Sequence, residues 1–456
     1  MARVAGVDSS TQSAKIVVRD SDSGELLAQS SRPHPNGTEV DPAAWWEALC
    51  AVIDDVGGLQ SLDAISIAGQ QHGMVVLDEN GSVIRKALLW NDTRSAPQAE
   101  ALNKAFPEIH QLTGSTLVAS FTASKVRWLY ENEPENAARV RAIALPHDWL
   151  SWKLSGSTKL EDLFTDRSDA SGTGYFNPVT NTYTMEIVKW VLGHTNVVLP
   201  RIVAPHEVGA RNGKCAIACG AGDNAGAALG VGATVGDLVI SLGTSGTAFV
   251  VSSTSTHDPS GEVAGFADAA GNFLPLACTL NAAKIFDSTA KLLNVDYEKF
   301  GALALSAPSG AQGLMVMPHF DGERTPNRPD ARGEFRGITH ENFTPENIAR
   351  ASIEGVIASM AYATQALVRQ GVSYSRIFLV GGAARNKAVQ EIAATIFAST
   401  IYLPEPGEYV AEGAARQAAW ALMGKPPTWS QSAMAEVAPS AENSPLPLYM
   451  EAFSQM

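Results

Sequence analysis

The sequence has little of what marks secreted, membrane-spanning or nucleic-acid-binding proteins. Its four cysteines show no metal-ligand spacing, so we expect buried thiols in a reducing cytoplasm rather than disulfides. No apolar run reaches the roughly 20 residues of a membrane helix, and because strand-like residues start at Arg3 we expect no leader peptide. Basic residues number 33 against 47 acidic ones, giving a net charge of −14. That balance disfavours nucleic acid or an anionic membrane as a partner. The cysteines are Cys50, Cys215, Cys219 and Cys278.

Several common catalytic signatures are also missing. There is no G-x-x-x-x-G-K-[ST] phosphate loop, no G-x-S-x-G nucleophile turn and no H-E-x-x-H metal motif. Gly220, Gly222 and Gly226 have the wrong spacing for a dinucleotide-binding turn. The commonest NTPase, dehydrogenase, hydrolase and metalloprotease classes are therefore excluded.

What is present describes a large α/β protein. At 456 residues, 45% hydrophobic and 18% charged, the chain has a globular composition and exceeds what one core usually supports. Strand and helix patterns alternate, and the same order of elements restarts near residue 215. We therefore predict two related domains, residues 1–235 and residues 236–456.

Two similar hairpin patterns open the two halves. Residues 4–18 read VAGVDSSTQSAKIVV and residues 239–251 read VISLGTSGTAFVV, each with β-branched strands around a tight polar turn. Exposed N–H groups and hydroxyls in such turns suit an anion, and two turns could hold a polyphosphate between them. The alternative is that each hairpin only satisfies its own backbone. The donors expected at the phosphates are Thr11, Ser13, Lys15, Gly243, Thr244 and Ser245.

Two aspartates lie where strands give way to turns. A carboxylate at Asp8 would repel a phosphate unless a cation lay between them, so we expect Asp8 to anchor Mg²⁺, through water. Asp223 lies in CGAGDNAG, before a predicted helix over 224–231. It is either a helix cap or, since glycines let a ligand approach closely, a group that accepts a hydroxyl proton. Asn224 could then bind a second hydroxyl.

Three further stretches suit neutral or flat ligands. GQQHGM places Gln71 and His72 after a buried strand, where open α/β sheets bind ligands, and LWNDTR adds Trp90. These groups suit a polyol, although a structural histidine and a capped helix start are the alternatives. LVGGAARN, residues 379–386, offers bare backbone for adenine, or close helix–strand packing instead.

Taken together, these stretches resemble the FGGY family of carbohydrate kinases over nearly the whole chain, most closely its members that phosphorylate xylulose. The resemblance implies the two-domain actin-like ATPase fold, built on ribonuclease-H-like cores, with ATP and sugar in the cleft between the domains. It also implies that Asp223 is the catalytic base and Asp8 a catalytic Mg²⁺ ligand, while Gln71 and His72 contact the sugar. The matching stretches are GVDSSTQSAK, IAGQQHGM, LLWNDTR, TDRSDASGTGYF, GAGDNAGAALGVG, SLGTSG, PHFDGERTPN and LVGGAARN.

The same resemblance assigns the nucleotide site. Thr11, Ser13, Thr244 and Ser245 would touch the phosphates, and the stretch Gly381, Gly382, Ala383 and Asn386 would contact adenosine. The chain departs from the family pattern at Ser10 and Ala383, where glycine is more usual, and at Gln71, where methionine is more usual.

The expected activity is ATP-dependent phosphorylation of D-xylulose to D-xylulose 5-phosphate in the cytoplasm, with a homodimer as the candidate assembly. One alternative is a kinase for another ketose or a pentitol, such as ribulose or arabinitol. An alternative of another class is a non-enzymatic actin-like or chaperone-type nucleotide switch with a protein partner.

Overall fold

The computed structural model describes residues 2–429 and 434–455. Its strands are short and many, as expected for a chain with frequent glycine and polar turns. They are β1 (Arg3–Ser9), β2 (Ser13–Asp20), β3 (Leu26–Pro33), β4 (Glu39–Val40), β5 (Ala64–Gly69), β6 (Val75–Leu77), β7 (Ala87–Leu88), β8 (Ala142–Ala144), β9 (Phe164–Thr165), β10 (Phe176–Asn177), β11 (Thr182–Tyr183), β12 (Arg201–Ile202), β13 (Val208–Asn212), β14 (Cys215–Ala218), β15 (Ala221–Gly222), β16 (Asp237–Leu242), β17 (Gly246–Val250), β18 (Ala264–Ala267), β19 (Phe273–Thr279), β20 (Met315–Met317), β21 (Glu334–Arg336), β22 (Arg376–Val380), β23 (Ile401–Pro404) and β24 (Met434–Val437).

Two of the longer helices begin at capping signals in the sequence. Asp41 accepts a hydrogen bond from Ala43 N ahead of Pro42, and Thr344 accepts one from Asn347 N ahead of Pro345. The helices are α1 (Pro42–Asp55), α2 (Ala96–Ala105), α3 (Ile109–Thr113), α4 (Thr122–Asn132), α5 (Pro134–Arg139), α6 (Pro146–Ser155), α7 (Arg167–Ala170), α8 (Met185–Leu192), α9 (Asp223–Gly230), α10 (Ala283–Leu293), α11 (Tyr297–Ser306), α12 (Pro345–Arg369), α13 (Lys387–Phe397), α14 (Tyr409–Met423) and α15 (Leu446–Ser454).

Two mixed sheets organise the chain into what we call the first and second lobes. The first sheet has the order β13-β14-β5-β1-β2-β3, with β15 also paired to β5, and the second has the order β18-β19-β17-β16-β22-β23-β24. In each sheet the hairpin's first strand pairs antiparallel with its second and parallel with a later strand, β5 or β22. The two predicted hairpins are thus equivalent strands of duplicated sheets.

Helix α14 connects the lobes, because it follows the second sheet in sequence but packs on the first. Its Ala411, Ala415 and Ala418 share a buried cluster with Val4 and Ala64 of the first sheet. Its contact with α9 is backbone to backbone. A Cβ added at Gly413 would lie only 1.9 Å from the Gly226 carbonyl oxygen. The domain boundary at residues 235 and 236 stays a prediction, and it assigns to the second domain a helix that packs in the first lobe.

The structure bears on the expectations about membrane helices and about the cysteines. No helix in the described part of the chain is both long and apolar enough to span a membrane. The four cysteines are unpaired, as expected, but only Cys215 and Cys219 are buried. Cys50 and Cys278 are partly exposed, so the expectation of burial is wrong for these two, and residue type alone does not decide burial.

Candidate active site

Asp8 lies near the end of β1, at the centre of the first sheet. It pairs with Lys15 across β2 and with Ala68 across β5, and only 6% of its surface is exposed. Its Oδ1 is buried without a hydrogen-bond partner among the described residues. Burial raises the pKa of Asp8 to about 7, helped by the charges of Asp223 and Glu408 and opposed by that of Lys15. Asp8 Oδ1 is therefore available to bind a cation.

Asp223 is the first residue of α9, one position earlier than the predicted helix. The pairing of Gly222 with Gly69 carries it to the carboxyl end of β5. Asn224 donates both its backbone N–H (2.8 Å) and its side-chain Nδ2 (2.9 Å) to Asp223 Oδ1, and Oδ2 has no partner among the described residues. Burial raises the pKa of Asp223 to about 6. One oxygen is therefore held and the other is left to accept a proton.

Gln71 and His72 lie at the same end of β5, both less than 10% exposed. The Gln71 Nε2 donates to the Ser168 carbonyl oxygen at 3.1 Å, and a Cβ at Gly222 would lie 2.8 Å from that nitrogen. Gln71 thus packs directly against the residue that precedes Asp223.

The His72 ring is neutral and fixed in orientation. Burial lowers its pKa to about 3, and Nδ1 lies 2.6 Å from the Gly172 carbonyl oxygen, so Nδ1 carries the proton and Nε2 is an acceptor. Phe121 of the first lobe and Phe266 of the second contact the ring, with centroids 4.8 and 5.7 Å away. His72 therefore lies where the lobes meet.

Trp90 connects this group to the first hairpin turn. Its Nε1 donates to Thr11 Oγ1 at 2.9 Å, and Thr11 Oγ1 donates to Gln70 Oε1 at 3.4 Å. The Thr11 hydroxyl is thus bonded on the Gln70 side of the turn. Its expected contact with a phosphate stays a prediction.

A cavity of about 820 Å³ runs between the lobes beside Asp8. Its lining includes Asp8 and Lys15 of the first lobe and Ser241, Gly381 and Gly382 of the second. A neighbouring cavity of about 430 Å³ shares Gly382 and adds Tyr297 and Asn386. The two cavities adjoin at Gly382, and we treat them as one elongated space with Asp8 in its first part and Asn386 in its second.

The second hairpin turn is arranged differently from the first. The carbonyl oxygens of Gly243 and Thr244 accept hydrogen bonds from Ala283 and Ala282 at the start of α10, which holds the turn in place. Within the described residues, the hydroxyls of Ser13, Thr244 and Ser245 have no partner, and these positions are exposed or partly exposed. They are free donors at the hairpin tips, outside the cavity lining.

Three residues predicted for the nucleotide site make other contacts in the structure. Lys15 Nζ forms an ion pair with Glu408 Oε2 at 2.5 Å. Asn386 accepts from Ala388 N to begin α13 and donates to the Tyr297 carbonyl oxygen. Ala383 is buried in the second-lobe core, while Gly382 and Ala384 on either side line the cavity.

Sequence reasoning missed several residues in this region. Glu408 accepts a hydrogen bond from Lys15, which lies 393 residues away in the sequence, and no local sequence pattern predicts this pair. Lys125 is fully buried, donates to the carbonyl oxygens of Ser120 and His72, and has a pKa lowered by burial to about 7. Ser168 forms hydrogen bonds with both Gln71 and Gly222. Only the family resemblance pointed to its stretch, TDRSDAS.

The two halves match two family models. Residues 3–233 match the N-terminal domain of the FGGY family of carbohydrate kinases, and residues 238–422 match the C-terminal domain. The chain belongs to the FGGY family. This FGGY protein is therefore an ATP-dependent carbohydrate kinase that acts on a small-molecule sugar.

Individual relatives agree with the family assignment. The FGGY chain is 41% identical over 446 residues to the xylulose kinase of Streptomyces rubiginosus, covering 93% of this chain and 89% of that protein. It is 43% identical to the crystal structure of xylulose kinase from Bifidobacterium adolescentis, with a TM-score of 0.92 and 99% of both chains covered. At 18% identity and a TM-score of 0.85, Plasmodium falciparum glycerol kinase shares the fold, over 100% of this chain and 97% of its own. The predicted actin-like ATPase fold is confirmed.

The raised pKa of Asp223 gives an expected pH dependence. If its carboxylate must be ionised to accept a proton, kcat falls about tenfold per pH unit once the pH drops below about 6. The measurement is the initial rate between pH 5 and 9, at saturating sugar and nucleotide and constant free metal. A flat profile between pH 5 and 7 would contradict an ionised Asp223 as the base.

Proposed function

We propose that this kinase transfers the γ-phosphoryl group of ATP to the terminal hydroxyl of D-xylulose, giving D-xylulose 5-phosphate and ADP. The observation that carries the proposal is the grouping at the end of β5. Asp223 has one oxygen held by Asn224 and one unpartnered, beside neutral His72 and the Gln71 amide. The names of the relatives above supply the choice of xylulose.

Each side chain has a proposed task in the transfer. The Asp223 Oδ2 takes the hydroxyl proton as that oxygen attacks the γ-phosphorus, and Asn224 keeps the carboxylate oriented. His72 Nε2 accepts from a sugar hydroxyl, while Gln71 and Trp90 contact the sugar from the first lobe. Closing the lobes excludes water and limits wasteful ATP hydrolysis.

The nucleotide is proposed to occupy the elongated space between the lobes. Adenine would lie on the bare backbone at Gly381 and Gly382, toward Asn386, with the triphosphate directed to Asp8. Ser13, Thr244, Ser245 and the Gly243 turn supply donors to the phosphates. Lys15 would join them by leaving Glu408, since an exposed or partly exposed ion pair contributes little stability.

The residues at Asp8 fit a divalent cation. A buried carboxylate whose Oδ1 has no partner and whose pKa is raised provides the hard oxygen ligand that Mg²⁺ prefers, directly or through water. When bound, Mg²⁺ would neutralise charge on the phosphoryl oxygens. Asp8 would hold the cation, and the hairpin donors would bind the phosphate oxygens. A cytoplasmic location and a homodimer stay predictions.

A coupled assay of ADP release, with and without D-xylulose, tests the function. We expect ADP release to depend on the sugar and on Mg²⁺. A panel of ribulose, arabinitol and xylitol, compared by kcat/KM, separates the other-ketose and pentitol alternatives, with Gln71→Met as the variant that restores the commoner family residue. ADP release independent of every sugar would favour the nucleotide-switch alternative.

Gly382 offers a test of the adenosine position. A Cβ there has no heavy atom within 4 Å, so Gly382→Leu should fold normally while its side chain enters the cavity. We expect KM for ATP to rise about 10- to 100-fold with KM for the sugar within about twofold, and Gly382→Ala to fall between. Unchanged KM for ATP in Gly382→Leu would place adenosine elsewhere.

A further inference from the structure

The segment 166–171, in the stretch TDRSDAS, is buried and contacts both lobes. Asp166 begins it by accepting from Ser168 N (2.7 Å) and Asp169 N (2.9 Å), and one turn of helix, α7, follows. Apart from Arg167, every side chain in the segment is buried. Burial and these hydrogen bonds hold the segment in one conformation.

Ser168 makes two contacts that converge on the active site. Its Oγ accepts the backbone N–H of Gly222 at 3.0 Å, and its carbonyl oxygen accepts from Gln71 Nε2 at 3.1 Å. Gly222 is the N-cap of α9 and directly precedes Asp223. The hydroxyl therefore fixes the peptide that carries the proposed base, while the carbonyl fixes a sugar-contacting side chain.

Neighbouring residues hold Ser168 from both sides. Asp169 Oδ2 lies 2.5 Å from His147 Nδ1; burial would lower the pKa of that histidine, but Asp148 and Asp169 outweigh it and raise the pKa to about 10. Ser171 Oγ donates to the Ser168 carbonyl oxygen (2.6 Å) and accepts from Ala267 N of β18 (3.2 Å). The turn is thus anchored to α6 in the first lobe and to the second-lobe sheet.

We propose that Ser168 is a positioning residue for Asp223, acting through the Gly222 N–H. The inference rests on the proposed role of Asp223 as base. Without the hydroxyl, a fully buried N–H loses its acceptor, and the glycine before the base is free to shift. A displacement of about 1 Å at a reacting group costs on the order of 100-fold in rate. The Gln71 contact, made by backbone, survives the loss of the side chain.

Ser168→Ala separates these two contacts. We expect kcat to fall about 10- to 100-fold while KM for the sugar and KM for ATP stay within about threefold. Ser168→Cys, which keeps the volume but offers a weaker acceptor, should fall between. Ser151→Ala is the matched control, because Ser151 is a fully buried first-lobe serine whose hydroxyl has no partner among the described residues; the kcat of this variant should not change.

Hydrogen exchange supplies a readout independent of turnover. The peptide containing the Gly222 amide should exchange at least tenfold faster in Ser168→Ala than in the wild type or Ser151→Ala. Thermal melts establish that each variant is folded at the assay temperature; if Ser168→Ala is not, Ser168→Cys carries the same comparison.

The outcomes are distinct. An active wild type with unchanged kcat in the folded Ser168 variant would overturn the positioning role, as would a loss confined to KM for the sugar. Equal losses in Ser168→Ala and Ser151→Ala would also overturn it, since they would reflect general destabilisation. No sugar-dependent ADP release by the wild type would contradict the proposed function itself, and the inference with it.

Discussion

Replacing Asp223 by asparagine is expected to lower kcat by about 10³- to 10⁴-fold, the upper range for a general base. The amide keeps the shape of the carboxylate and can still contact Asn224, but it cannot take a proton. Because both substrates bind through other groups, KM for each should change little. The measurement is steady-state kinetics of sugar-dependent ADP release.

The same variant should fold as well as the wild type. Burial already disfavours the charged form of Asp223, so a neutral amide removes an unfavourable buried charge. Calorimetric titration should show ATP affinity within about threefold of wild type. Asn224→Ala, which removes one donor to Oδ1 but leaves the base, is the graded comparison and should lose about tenfold in kcat. Wild-type turnover in Asp223→Asn would remove its assignment as base.

Replacing Asp8 by asparagine is expected to lower kcat by about 100-fold or more while stabilising the unliganded protein at alkaline pH. The expected loss of activity arises because an amide would be a poorer ligand for the divalent cation that Asp8 is proposed to hold. The stability is gained because Asp8 is a buried carboxylate with an unpartnered oxygen. Function and folding therefore make opposite demands on this position.

The sign of the stability effect follows from the pKa of Asp8. It lies near 7 in the folded protein against 3.8 unfolded, so the folded state binds the extra proton and loses stability as the pH rises between those values. Each pH unit costs about 1.4 kcal/mol, or on the order of 2–4 kcal/mol by pH 8. Melting curves of the wild type and Asp8→Asn should coincide near pH 4 and diverge by pH 8. A constant difference across that range would contradict the shifted pKa.

Sequence patterns predicted the elements whose signals are local. Asp41 with Pro42 and Thr344 with Pro345 begin helices as expected, and both hairpins form with their turns in the predicted places. Only the family resemblance, and no local pattern, implied that Gln71, His72 and Asp223 serve one sugar site, and the structure brings the three to the same end of β5.

What the sequence could not predict depends on partners far along the chain. The Thr11 hydroxyl is engaged by Trp90, 79 residues away, and Lys15 by Glu408, 393 residues away. Ser168 meets Gly222 across 54 residues. Residue type indicates that a side chain can donate or accept a hydrogen bond. Which partner it binds is decided by the packing of the folded chain.

The position of α14 has a consequence for biosynthesis. Its alanines cover one face of the first sheet, and they are translated after nearly all of both lobes. A nascent chain that has released only its first half therefore presents an uncovered strand face to the surroundings, a surface that invites chaperone capture or self-association. The first sheet can be fully covered only after residues 409–423 have emerged, so the part of the protein made first is finished last.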